Sequence, residues 1–201
     1  MVVIGLTGTV CSGKSAVAGA FRDLGARVYG ADDEVHRIYR REDVKREVRE
    51  AFGDAAFGAD GEVDRKALAR TVFGDPAKLA KLTGSIVFPR VAEAIRRAVQ
   101  EARSDPAAGR ALVLDAPTLF EAKCEGLCDK VLFVTAPPDR RREWARAGRG
   151  WGPDEIERRE RHLIGEVAKR GRADKVIENT GSLDDLKRQV LETWKEWIHA
   201  V

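Results

Sequence analysis

Two residues suited to phosphate chemistry, Lys14 and Ser15, close the run Gly8-Thr9-Val10-Cys11-Ser12-Gly13-Lys14-Ser15. The spacing is G-x-x-x-x-G-K-[ST], with a hydrophobic stretch before it and a helical pattern after it, the context this motif requires. In such a loop, successive backbone N–H groups point inward at phosphate oxygens, backed by the N-terminus of the next helix. The Lys14 ammonium then reaches the β- and γ-phosphates of a nucleoside triphosphate, and the Ser15 hydroxyl ligates its Mg2+ ion. Gly8 through Ala16 are the expected phosphate-binding residues.

Carboxylates and arginines supply the rest of a phosphoryl-transfer kit. Ala111-Leu112-Val113-Leu114-Asp115 is an apolar run ending in a carboxylate. That form suits a strand whose aspartate sits near the magnesium shell, although a strand-end aspartate also caps turns. Tyr29-Gly30-Ala31-Asp32-Asp33 puts two carboxylates just past a second strand, at the edge where open α/β sheets bind ligands. One of the pair, Asp32 or Asp33, is placed to accept or orient the proton of an acceptor hydroxyl, and one is expected to cap the following helix. Arginines crowd residues 140–172 and are interrupted by Arg149-Gly150-Trp151-Gly152-Pro153. This predicts a hinged lid over about 140–170 that brings Arg149 to the γ-phosphoryl group. The same arginines beside Glu155, Glu157 and Glu160 also fit solvated i,i+4 pairs on a surface helix.

These residues need a scaffold, and the hydropathy rhythm predicts one. Short apolar runs at 2–7, 27–29, 111–115, 131–135 and 175–177 alternate with amphipathic segments, the pattern of a parallel sheet covered by helices. Helices are expected from the Gly13-Lys14-Ser15 turn onward and over 33–52, 64–73, 78–103, 139–147, 154–169 and 183–199. About eighty residues separate the second and third strands, far more than an ordinary crossover. They predict a helical substrate-side insertion over about 53–105, bracketed by turn-rich residues 54–64 and 104–109. The expected architecture is a single α/β domain over 1–201: a three-layer α/β/α P-loop NTPase fold with a five-stranded parallel sheet and a helical lid.

Composition narrows the function classes. With 201 residues and 43% hydrophobic content, one domain can bury a core without metals or disulfides. The three cysteines, Cys11, Cys124 and Cys128, lack framework or zinc-site spacing and read as reduced thiols in a cytoplasmic protein. The N-terminal apolar run is too short for a span and has no basic stretch before it, so neither a signal peptide nor membrane association is expected. A net charge of +3 implies no nucleic-acid partner.

Taken in order, these segments resemble the dephospho-coenzyme A kinase family from end to end. The likeness is carried by Ile4-Gly5-Leu6-Thr7-Gly8 with Ser12-Gly13-Lys14-Ser15, by residues 21–32, and by Asp60-Gly61-x-Val63-Asp64-Arg65. It continues through Leu114-Asp115-Ala116-Pro117 with Leu119-Phe120-Glu121, and through Lys169-Arg170-x-Arg172-Ala173-Asp174-x-Val176-Ile177-Glu178-Asn179. The resemblance implies transfer of the ATP γ-phosphoryl group to the ribose 3′-hydroxyl of dephospho-coenzyme A, by a monomer or weak homo-oligomer. It places Asp32 as the catalytic base and Asn179 on the loop near adenine. Pro89, Pro117, Phe120 and Glu121 fall on the substrate side. The chain departs from the family pattern at Cys11, where a glycine is usual, at Gly30, where an aspartate is usual, and at Phe88, Thr118 and Leu163. The residues alone leave open a nucleotide, shikimate or gluconate kinase, and a non-catalytic nucleotide-binding protein.

Overall fold

The computed structural model describes residues 1–105, 107 and 109–198. They form two compact units, Met1–Gly30 with Arg97–Val201, and Ala31–Arg96. In the first unit, β1 (Val2–Gly8), β2 (Arg27–Gly30), β3 (Ala111–Asp115), β4 (Lys130–Thr135) and β5 (Lys175–Glu178) make one five-stranded sheet in the order β2-β3-β1-β4-β5. Every pairing is parallel, so all five expected strands form.

The central strands β1, β3 and β4 are buried along almost their whole length and apolar on both sides, as strands covered on both faces must be. One face, with Ile4, Leu6, Val113, Leu132 and Val134, packs with α1 (Lys14–Asp23) and α10 (Leu183–Ile198) around Phe21, Val190 and Trp194. Phe21 is fully buried, worth roughly 2–3 kcal/mol of transfer free energy. Of the expected helix 183–199, His199 lies outside the described residues. β1 lies between β3 and β4, so the chain crosses in opposite directions on its two sides, and a crevice opens at its carboxyl end. Gly8 sits there, paired in register with Val134, while Asp115 is level with Leu6 and Gly30.

The second unit is helical. The single helix expected over 33–52 is two, α2 (Ala31–Tyr39) and α3 (Glu42–Phe52). Arg41 is extended at φ −74° and ψ 136°, its guanidinium held by Asp43 at 2.9 and 3.0 Å. Glu42 and Asp43 then start a new helix, where the dipole favours negative charge. Next, α4 (Arg65–Phe73) opens on Asp64, whose carboxylate accepts from the N–H groups of Lys66 and Ala67, a cap worth about 1 kcal/mol.

The expected helix 78–103 is also modified. It runs as α5 (Pro76–Ala80), a wide π turn (Lys81–Val87) and α6 (Phe88–Ser104). Pro89 explains the change, since it lacks an N–H and its ring collides with the carbonyl four residues back. A wider turn relieves that collision. Arg90 reaches back to the Ile86 carbonyl at 2.9 Å. Most of the expected insertion 53–105 lies in this unit, which begins earlier, at Ala31.

Candidate active site

The phosphate loop leaves β1 at its carboxyl end and enters α1 at Lys14. Its shape depends on two glycines. A Cβ on Gly8 would lie 2.3 Å from the Val134 carbonyl oxygen, so only glycine lets β1 run this close to β4. Gly13 has φ +87°, and a Cβ there would meet the Asn179 amide nitrogen at 2.3 Å. That amide donates to the Ser12 carbonyl at 3.0 Å. Asn179, expected near adenine, thus commits its side chain to the loop backbone from the end of β5. Cys11 is the one loop residue with a side chain in the left-handed region, at φ +60°.

Lys14 and Asp115 form an ion pair across the crevice. The cation expected on the β/γ-phosphates and the carboxylate expected at the magnesium shell therefore share one spot. Ser15 is exposed in the first turn of α1. Ser12 is 1% exposed and its hydroxyl has no hydrogen-bond partner among the described residues. A buried, unsatisfied polar group on a loop of inward N–H groups fits an anionic ligand. No group of three or more His, Cys, Asp or Glu residues able to hold a metal occurs among the described residues. The Asp115 carboxylate at the crevice and the Ser15 hydroxyl in the first turn of α1 are hard oxygen donors of the kind Mg2+ takes, the remainder of its shell coming from phosphates and water.

Above the loop lies the arginine-rich segment. α7 (Pro138–Arg149) ends in the left-handed Gly150, whose N–H donates to the Arg146 carbonyl while Trp151 N–H reaches Ala145. This glycine-dependent stop is the expected breaker. The guanidinium of Arg149 lies 4.8 Å, and that of Arg159 4.1 Å, from the Trp151 ring centroid. The expected helix 154–169 divides into α8 (Glu155–Glu160) and α9 (Glu166–Arg172). The interruption arises because Ile164 N–H donates to the Glu121 carboxylate at 2.9 Å and Gly165 is extended.

Charges in this segment divide into two kinds. Arg158 and Arg159 pair with Glu155 along α8, the local pattern expected of a surface helix. Arg141 and Glu160 do something else. The buried Arg141 guanidinium makes two contacts to the Glu160 carboxylate, at 2.5 and 3.2 Å, and donates to the Val10 carbonyl at 3.3 Å. Glu160 in turn accepts the Val10 N–H at 2.9 Å. Burial pushes the Cys11 thiol above its ordinary pKa, and the positive charges of Arg149, Arg141 and Arg159 pull it part of the way back. The segment therefore places positive potential over the loop.

The loop after β3 is scaffold as much as surface. The Pro117 carbonyl accepts from the Thr7 hydroxyl at 3.0 Å and from Lys169 at 3.4 Å. Lys169, 3% exposed, pairs with Glu121 at 2.8 Å. Phe120 is buried with the Arg172 guanidinium 4.2 Å over its ring. In the second unit, Asp32 and Asp33 are both exposed in the first turn of α2. The helix begins at Ala31, so neither aspartate is its N-cap, contrary to the expected capping role. Pro89 is exposed near the start of α6.

Arg141 and Lys169 are buried and the Glu160 side chain is 30% exposed; sequence reasoning assigned none of the three this pairing role. They sit inside charge-rich stretches and pair across 19 and about 48 residues, so no local spacing marks them.

Comparison with known proteins accords with this geometry. The family model described as dephospho-CoA kinase matches residues 2–185. A dephospho-CoA kinase of Moorella thermoacetica is 37% identical over 198 residues, covering 98% of this chain and 92% of the relative. A crystal structure of a Thermus thermophilus protein superposes with a TM-score of 0.78 at 38% identity, covering 98% of this chain and 97% of that one. At 20% identity, a dephospho-CoA kinase structure from Campylobacter jejuni shares the fold with a TM-score of 0.71, over 98% of both chains. With a phosphate loop at the sheet's switch point, a matched family model and relatives aligned along nearly their whole length, the chain belongs to the dephospho-CoA kinase family.

Proposed function

We propose that this protein transfers the γ-phosphoryl group of ATP to the ribose 3′-hydroxyl of dephospho-CoA, giving CoA and ADP. The observation that carries the reading is the phosphate loop at the carboxyl end of β1 with Lys14 and Asp115 in contact, in a chain of this family. The acceptor oxygen forms a bond to the γ-phosphorus as the bond to the β-phosphate oxygen breaks, and the hydroxyl proton leaves to a base. Mg2+, when bound, neutralises charge on the phosphates; Ser15 and Asp115 are the residues that would hold it. Lys14 exchanges Asp115 for the β/γ-phosphates, and the loop N–H groups of Cys11, Gly13, Lys14 and Ser15 orient them.

Asp32 is assigned as the base, supported by its place two residues past β2. Arg149 is assigned to the developing charge on the transferred group, from a lid of about 140–170. Pro89 and Pro117 are assigned to the acceptor side, with Phe120 and Glu121 holding the loop on which Pro117 stands. The helical insertion is assigned to acceptor binding within a single kinase domain. No helix among the described residues is long and apolar enough to cross a membrane. A cytoplasmic monomer or weak homo-oligomer without a nucleic-acid partner completes the reading.

Coupled ADP release tests it. Turnover is expected with dephospho-CoA and not with shikimate, gluconate or nucleoside monophosphates; turnover with one of these alone overturns the acceptor. Asp32→Asn should lower kcat by roughly 10²–10⁴-fold with ATP affinity nearly unchanged. Asp33→Asn should cost far less, and the reverse order would move the base to Asp33.

A further inference from the structure

Val10 is the loop residue whose two backbone groups are both held by side chains from α7 and α8. Its N–H belongs to the peptide plane shared with Thr9, and Glu160 accepts it at 2.9 Å. Its carbonyl belongs to the next plane, shared with Cys11, and accepts from Arg141 at 3.3 Å. These two planes set the φ and ψ of Val10; the Thr9 carbonyl, which lies in the first of them, also accepts the Ser12 N–H at 3.3 Å and so holds the plane beyond Cys11, leaving the φ of Cys11, at +60°, between two held planes. A side chain disfavours that conformation and glycine does not. The holding groups are themselves locked together, with the Arg141 side chain 9% and the Glu160 side chain 30% exposed. Arg141 Nε is buried without a hydrogen-bond partner among the described residues, so part of the guanidinium's desolvation is left uncompensated. An ion pair kept under those conditions is better explained by the geometry it imposes than by net stability.

We propose that the Arg141–Glu160 pair is a clamp through which α7 and α8 hold the phosphate loop in its nucleotide-binding shape, compensating for the absence of glycine at residue 11. Arg141 and Glu160 are positioning residues: they act on bound phosphate through the Val10 and Cys11 backbone. Loop shape and the arginine-rich segment are then one mechanical unit, so any movement of α8 away from the loop releases Cys11 toward ordinary backbone angles and weakens phosphate binding.

The clamp rests on the nucleotide half of the proposed function and not on the identity of the acceptor. It is tested by calorimetric titration of Mg·ATP, without acceptor, into wild type, Glu160→Ala, Cys11→Gly and the double variant. Glu160→Ala should raise Kd about tenfold, a change of about 1.4 kcal/mol, in the wild-type background. In the Cys11→Gly background the same substitution should raise it no more than about twofold, because glycine reaches φ +60° unaided. A merely structural role for Glu160 predicts the same factor in both backgrounds, and that result overturns the clamp, as does an unchanged Kd for Glu160→Ala. If Glu160→Ala fails to fold, Glu160→Gln replaces it in the same cycle; it keeps an acceptor for Val10 N–H and loses the charge that fixes Arg141. Wild-type protein that does not bind Mg·ATP would instead refute the nucleotide reading itself.

Discussion

The phosphate loop and the arginine-rich segment above it are built on opposite principles. The loop is backbone machinery: two glycines, a strand end and a helix start set its shape, and the Asn179 amide fills the space beside Gly13. The segment between Pro138 and Arg172 is side-chain machinery, three short helices held by ion pairs and by arginines stacked on Trp151. The difference shows which kind of construction a sequence displays openly. Backbone constraints demand particular residues at fixed local spacings, whereas a charge can find its partner anywhere in the chain.

The comparison breaks most sharply at Lys14. Lys14→Ala should reduce phosphoryl transfer by more than about 10³-fold, since it removes the cation set against the charge that develops in the transition state. Coupled ADP release measures it, and activity within about threefold of wild type, only ~0.7 kcal/mol of barrier, would mean the loop is not the catalytic centre.

Arg149→Ala addresses the other region. A loss of roughly 10²-fold in kcat, the scale for one preorganised charge donor, is expected with ATP affinity little altered. Limited proteolysis near residues 148–152 should slow when an ATP analogue and acceptor are both present. Unchanged kcat would reduce the segment to a charged surface, leaving only the Arg141–Glu160 contact as functional.

Asn179→Ala sharpens the loop side of the comparison. It removes the hydrogen bond to the Ser12 carbonyl and opens space beside Gly13. Mg·ATP affinity should fall about tenfold, in line with the loss of one buried hydrogen bond of about 1–1.5 kcal/mol. If only melting temperature falls and affinity does not, Asn179 supports the sheet rather than the phosphate site.

The smallest expected effect at neutral pH is at the Cys128 thiol, whose contribution changes only above pH 9. Burial, with the neighbouring Cys124 thiol and carboxylates adding to it, pushes Cys128 up to about 12. The unfolded chain releases this proton near pH 9 and the folded chain holds it until about pH 12. Stability is therefore intact below pH 9 and falls through that window, by up to about 1.4 kcal/mol per pH unit. Cys128→Ala should flatten the alkaline limb of melting temperature against pH; an identical limb would assign it to other groups.

How much the sequence displayed follows the same division. The central strands β1, β3 and β4 were legible because buried parallel strands must be apolar on both faces, the edge strands as short apolar runs between helical patterns, and the loop because its motif is local. The helix breaks at Arg41, at Lys81–Val87 and at Ile164 were not. The first turns on an arginine pairing two residues ahead, and the second on a proline within an otherwise helical pattern. The third depends on Glu121, 43 residues away. Asp32 could be placed by counting from the strand, yet the helix start at Ala31 left both aspartates uncapped and exposed. Lys169 and Arg141 read as two more members of a charge run, since nothing in local spacing distinguishes a buried cation from its solvated neighbours.

The Asn179 amide joins the Ser12 carbonyl across 167 positions of the chain, and the Glu160 carboxylate joins Val10 across 150. In synthesis the glycine loop precedes both of these partners. Contacts of such separation form only after the intervening chain has collapsed, so the loop gains these two supports late in folding. Nucleotide, which binds the assembled loop and not the unfolded chain, is therefore expected to stabilise both of these distant contacts together with the loop.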